Sequence, residues 1–212
     1  MKATGEVMGI GSNLEECLLK GVRSLEIGVN HIYMKKFDEY TAEQLMEYIK
    51  DGTDDRIYAI AKLLEYGADS GRIWSATKID MFFLEKLRNI VNMQSTVKQN
   101  PKNVDILRKA KKMGFPDKVI ERLSGAPVPM HRNPVYKMVD TCAAEFEAET
   151  PYFYSTFDGE NEAEEFLEKL DARDPMLLAE CARQPKHGND NASVNAIASA
   201  LSARIFSEFE RH

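Results

Sequence analysis

Cysteine is scarce in this sequence. Cys17, Cys142 and Cys181 stand far apart among 212 residues, odd in number and without paired spacing, which excludes a disulfide framework and points to reduced thiols in a cytoplasmic protein. Long apolar runs are missing too, since none approaches the roughly 20 residues that span a bilayer, so no membrane partner is expected. Dense positive charge is also lacking. With a net charge of −6 and "RKAKKMG" as the most basic stretch, nothing here covers a phosphate backbone, and no nucleic-acid partner is expected. What remains is a chain with 43% apolar residues, enough for one or two domains with real cores.

Helical patterning fills the region from residue 12 to residue 125. Ser12 and Glu15 have the spacing of a capping box, and Leu14, Leu18, Val22 and Leu25 recur as one stripe. Thr41 with Gln44 opens a short second helix that Gly52 punctuates. A third starts at Thr53, with Asp54 and Asp55 beside the positive end of its dipole, Ile57, Ile60, Ala61 and Leu64 as its stripe, and Gly67 past its end. The fourth opens at Asp80, with Phe83, Leu84, Leu87, Ile90 and Val91 predicted inward and Glu85, Lys86 and Arg88 outward. "VDILRKAKKMG" and "PDKVIERLSG" add two more, stopped by Gly114 and Gly125, with Pro116 suited to a first turn. None of these buries its stripe alone. They therefore pack as an irregular helical bundle, and the fold class is mainly α with a few flanking β-strands.

The flanks read differently. Residues 1–11, "MKATGEVMGIG", lack helical periodicity and are expected to be a terminal strand. After Gly125, "APVPMHRNPV" holds three prolines and forms a linker, followed by "VYKMVDTCAAEF" and "YFYSTF", two strand-like segments expected beside residues 1–10 or beside a partner. Residues 126–162 thus form a proline-rich linker and β segment. Residues 163–212 are an acidic and then alanine-rich tail with helical spacing at Val194, Ile197, Leu201 and Ile205.

The chemistry-bearing residues do not assemble into a site. Gly5, Gly9 and Gly11 precede a helix start, where amides can approach a phosphate, but their spacing is neither a Walker loop nor the dinucleotide fingerprint, and a plain turn is favoured. Cys142 as a nucleophile would need a nearby base and a lowered pKa. His131 is separated from it by proline-rich chain, while Asp140 and Glu145 would raise the thiol pKa, so packing is the favoured role. His31, His131, His187 and His212 show no ligand spacing, which disfavours zinc. Met8, Met34, Met46, Met81, Met93 and Met113 read as core filler. No catalytic, cofactor-binding or metal residue is assigned.

"MKATGEVMGIG", "DDRIYAIAKLLEYG", "TKIDMFFLEKLRNIV", "AKKMGFPDKVI" and "PVYKMVDTCAAEFEAETPYFYSTF" come in an order and spacing that resemble the middle of the large chain of carbamoyl phosphate synthetase. The resemblance covers residues 1 to about 162 and leaves the tail unmatched. It implies that residues 1–11 close the first ATP-grasp half, that residues 12–125 are the oligomerisation domain, and that residues 126–162 lead into the second half. The enzyme so implied is a ligase of arginine and pyrimidine biosynthesis that makes carbamoyl phosphate from bicarbonate, glutamine-derived ammonia and two ATP. ATP and magnesium or manganese belong to that whole enzyme, with no cofactor in this chain. Self-association is expected, and the other synthetase domains and the glutaminase small chain are implied partners. Two alternatives are a free-standing helical interaction module and an independent cysteine-dependent enzyme.

Overall fold

Asn13, not Ser12, caps the first helix. In a computed structural model that describes residues 5–128, 134–139 and 152–163, helix α1 spans Leu14–Ser24, and the Asn13 side chain accepts a bond from the Glu16 amide. The predicted Ser12–Glu15 capping box does not form, and a simple side-chain cap lies one residue further on. Of the expected stripe Leu14, Leu18, Val22 and Leu25, Val22 is buried and Leu18 packs against the core, whereas Leu14 is half-buried and Leu25 exposed, and Glu15, Glu16 and Leu19 are buried as well. Two acids that a hydrophobicity pattern assigns to solvent therefore face inward.

A 3₁₀ turn at Lys35–Glu39, absent from the pattern reading, buries Phe37 edge-on against Tyr40 and Tyr48. Helix α2, Ala42–Tyr48, opens on the predicted Thr41–Gln44 capping box, with both reciprocal bonds present. Helix α3, Arg56–Glu65, starts later than Thr53. Asp55 stands at its N-cap but turns its carboxylate to Tyr48, Thr53 and Lys36 instead of to the helix amides. All four predicted stripe positions of α3 lie at the core, and Tyr58, Ala59 and Leu63 are buried as well, so this helix is enclosed on more than one face.

Helix α4, Ser70–Thr77, was not legible as a helix. It is short, contains Gly71, and has few apolar residues, yet Asp69 caps it by accepting from the Arg72 amide. The longest helix, α5, spans Met81–Gln99 and opens on Asp80 as expected. It packs against α1, α3, α4, α6 and α7 and is the axis of the bundle. Leu84, Leu87, Ile90, Val91 and Val97 face inward, whereas Phe83, expected inward, is 52% exposed. Adjacent residues on a helix lie about 100° apart, so with Leu84 at 0% exposure Phe83 falls to the side of the stripe. Arg88, expected outward, is half-buried and donates to the Ala68 carbonyl and the Ser70 hydroxyl, tying α4 to α5. Helices α6, Val104–Lys112, and α7, Asp117–Ser124, end near Gly114 and at Gly125, both in the left-handed conformation.

Strands β1, Val135–Met138, and β2, Phe153–Thr156, pair antiparallel with Val135 opposite Thr156 and Met138 opposite Phe153. They pair with each other and not with the N-terminal segment. The strand expected over residues 1–11 is a correction for its described part: residues 5–11 are not in a strand, and the segment is held on α1 by the contacts given below. Among the methionines, Met34, Met46, Met93 and Met113 pack on the core as read, but Met8 and Met81 are exposed. The fold is mainly α, with one small two-stranded sheet among the described residues. These elements lie within the unit Met1–Asn161, and the predicted helical tail lies outside the described residues.

Candidate functional site

Both ends of the helical module converge on the first turns of α1. Glu16, 2% exposed, accepts at Oε2 from the Ser12 amide at 2.8 Å, the Ser12 hydroxyl at 3.0 Å and the Thr156 hydroxyl at 3.1 Å. Its Oε1 faces the Lys20 ammonium at 3.0 Å, one helical turn on. Lys20 in turn donates to the Ile10 carbonyl at 2.7 Å and the Ser155 carbonyl at 2.6 Å, so its three protons have three acceptors. A buried carboxylate is tolerated only when paired and hydrogen-bonded, and this one is both.

The glycines ahead of α1 serve this junction. A Cβ on Gly9 would lie 2.1 Å from the Cys17 carbonyl oxygen, and one on Gly11 would lie 2.8 Å from Glu16 Oε2. Residues 9–12 therefore lie flat on α1, closer than any side chain permits. The anion that the turn receives is the protein's own: the Ser12 amide points at the Glu16 carboxylate, whose charge repels a phosphate from the place where the alternative reading would put one. The corner between α6 and α7 closes on the same residue, with Gly114 held at φ 86° where a Cβ would come within 3.0 Å of Glu16 Cα, and with Arg23 donating to the Gly114 carbonyl at 2.9 Å. Lys112 pairs with Asp158 at 2.7 Å and Lys111 lies 4.0 Å from the centroid of the Phe157 ring, so the same corner grips the chain after β2.

A second feature lies at the corner of α4 and α5. Trp74, Met81, Phe82 and Phe83 are 46%, 40%, 56% and 52% exposed. The Phe82 and Phe83 rings meet edge to face at 5.4 Å, and Lys78 and Lys86 lie over Trp74 and Phe82. Four large apolar side chains are thus left in solvent around the α4–α5 corner.

Other residues weighed for chemistry are placed as follows. Cys17 is partly buried, and burial with the Glu16 charge pushes its thiol pKa up, away from nucleophilic use. Cys142, Asp140, Glu145, His131 and Cys181 lie outside the described residues. Among the described residues no three His, Cys, Asp or Glu side chains converge as a metal centre requires, and no helix is long and apolar enough to cross a membrane. Glu15, buried on α1, is engaged by Asn89 at 2.9 Å and Lys86 at 3.4 Å. Burial alone would raise its pKa, but these partners outweigh it and hold it low.

The sequence reading named none of Glu16, Lys20, Thr156, Trp74 or Phe82 as functional. A Glu-x-x-x-Lys pair directly after three closely spaced glycines was a usable signal for the junction. So was the run Phe82–Phe83–Leu84 for the surface, since three successive helical residues cannot all face one buried stripe.

Among the described residues, the segment entering the helical bundle and the segment at β2 meet on one helix, and apolar side chains are exposed at the α4–α5 corner. The model of the carbamoyl-phosphate synthetase large chain oligomerisation domain matches residues 6–139, and the chain belongs to that family.

Proposed function

We propose that this chain acts as the oligomerisation and linker module of a carbamoyl phosphate synthetase large chain. In this reading it joins the two ATP-grasp halves and carries no reaction by itself. The observation that carries the reading is the span of the family match, which takes in all of α1–α7 and β1. The whole enzyme would make carbamoyl phosphate from bicarbonate, glutamine-derived ammonia and two ATP in the cytoplasm. Its partners there would be the remaining synthetase domains and the glutaminase small chain.

The association partner assigned here is a second copy of the chain, and the surface is the α4–α5 corner. Support comes from the description of the family as an oligomerisation domain together with the exposure of Trp74, Phe82 and Phe83. Standard interfaces bury about 1,600 Å² in total, within reach of a few helix faces. Sedimentation equilibrium over a wide concentration range, on the full chain and on a version ending at Glu162, tests the reading. A mass that rises with concentration for both supports it. A full chain that stays monomeric overturns it, and association lost only with the tail favours a free-standing interaction module. Steady ATP turnover that copurifies with the chain would overturn the inactive linker and reopen the cysteine-dependent alternative.

A further inference from the structure

We propose that Glu16 and Lys20 form a two-sided clamp that couples the segment entering the module, residues 9–12, to the segment leaving it, residues 155–158. The proposal rests on the linker reading and goes further. It makes the module a coupler through which displacement of one end is felt at the other, by way of two side chains on one helical turn.

Each residue of the clamp grips both segments at once. Glu16 Oε2 holds Ser12 on the entering side and Thr156 on the leaving side. Lys20 holds the Ile10 carbonyl on the entering side and the Ser155 carbonyl on the leaving side, and its ammonium lies 5.2 Å from the centroid of the Tyr154 ring. The two hydroxyls that share the carboxylate, Ser12 Oγ and Thr156 Oγ1, are themselves 3.5 Å apart across 144 residues of chain. Oε2 of Glu16 is thus shared between the two segments, while Oε1 faces Lys20. Withdrawing Thr156 leaves a charge at 2% exposure short of a donor, a cost that the entering segment shares because its own bonds end on the same oxygen. Helix α1 is itself packed on α5, so the clamp ties both segments to the axis of the bundle.

Coupling is reciprocal by thermodynamic necessity, which gives the test its form. Amide hydrogen exchange by mass spectrometry would be read on the full chain and on three variants: Thr156→Val on the leaving side, Ser12→Ala on the entering side, and Lys20→Met at the centre. Thr156→Val is expected to raise exchange of residues 9–12, and Ser12→Ala that of residues 153–158, each by about tenfold, as loss of a bond to a charged group implies. Lys20→Met should raise both. Exchange within α5 stays at its unsubstituted level and reports that the bundle is folded. If each single variant loosens only the segment that carries it, the clamp is two independent contacts and the proposal is overturned. A variant that raises exchange in α5 has lost the bundle, and the variant on the opposite side then decides. Because this readout is independent of association, a chain that self-associates without coupled exchange overturns the clamp alone, and a monomeric chain with coupled exchange overturns the assembly role alone.

Discussion

The His31 ring stands 4.5 Å from the Phe115 ring at an angle of 60°, with 2% of the residue exposed and neither imidazole nitrogen hydrogen-bonded. Burial first, then the Arg122 and Arg23 charges, push its pKa from 6.5 down to about 3. His31 is therefore neutral in the folded chain at neutral pH. The unfolded chain takes up this proton first, so the contribution to stability is fully present above the unfolded value of 6.5 and is lost as pH falls toward 3. The lowered pKa of Glu15 acts in the same direction at more acid pH. Urea midpoints are expected to fall between about pH 7 and about pH 5, at roughly 1 kcal/mol per pH unit once below the unfolded value. His31→Leu should flatten that dependence at little cost at neutral pH, because it replaces an unsatisfied polar ring by an apolar side chain. An unchanged slope in the variant would remove His31 as the cause.

Two residues of α5 separate the core from its pattern. Ile90 is fully buried at the axis of the bundle, and Ile90→Ala is expected to cost about 2–5 kcal/mol. Phe83→Ala, at a position that hydrophobic periodicity also assigns to the core, is expected to cost under about 1 kcal/mol because the ring is half in solvent. Equal losses in denaturant titrations of the two would place Phe83 in the core after all.

Gly9 and Gly52 make a similar pair on the backbone. A methyl group at Gly9 would overlap the Cys17 carbonyl, so Gly9→Ala is expected to detach residues 9–12 and lower stability by a few kcal/mol. At Gly52 an added Cβ meets nothing within 4 Å and the backbone is not left-handed, so Gly52→Ala should be neutral or stabilising by up to about 1 kcal/mol. A thermal melt of each variant against the parent distinguishes them, and a harmless Gly9→Ala would show that the entering segment does not lie against α1 as described.

Most of the bundle was legible because its helices announce themselves at their ends. Thr41–Gln44, Asp80, Gly114 and Gly125 act where the sequence places them, with Pro116 one position earlier at the N-cap, and local hydrogen bonding at a helix end needs no knowledge of the rest of the fold. Illegible features depend on contacts distant in sequence. Glu15 and Glu16 look like exposed first-turn acids until Asn89, Lys86 and Thr156 arrive from 71 to 140 positions away to satisfy them. Helix α4 fails on its own composition and is held by Arg88 of the next helix. The segment before α1 reads as a strand because it lacks helical periodicity, and only the close packing of Gly9 and Gly11 on α1 shows what holds it instead. The site was hidden for the same reason, since it is built from contacts between segments distant in sequence and not from a local motif.

The assembly role makes a demand on the α4–α5 corner that core packing does not. Phe82 and Phe83 contact each other and leave more than half of each residue in solvent, so replacing them removes little from the folded monomer. The double variant Phe82→Ser, Phe83→Ser is expected to keep its urea midpoint within about 1 kcal/mol of the parent. A buried aromatic at the centre of an interface commonly contributes 2 kcal/mol or more, so loss of two should weaken self-association by at least about thirtyfold. Sedimentation equilibrium of parent and variant under the same conditions gives the comparison. Should both associate equally, a different face makes the contact, and Leu25 and Ile27 after α1, 43% and 55% exposed, become the next residues to replace. Should the variant unfold, Trp74→Ser repeats the test from the neighbouring helix, where the side chain is 46% exposed and its removal leaves the α5 core intact.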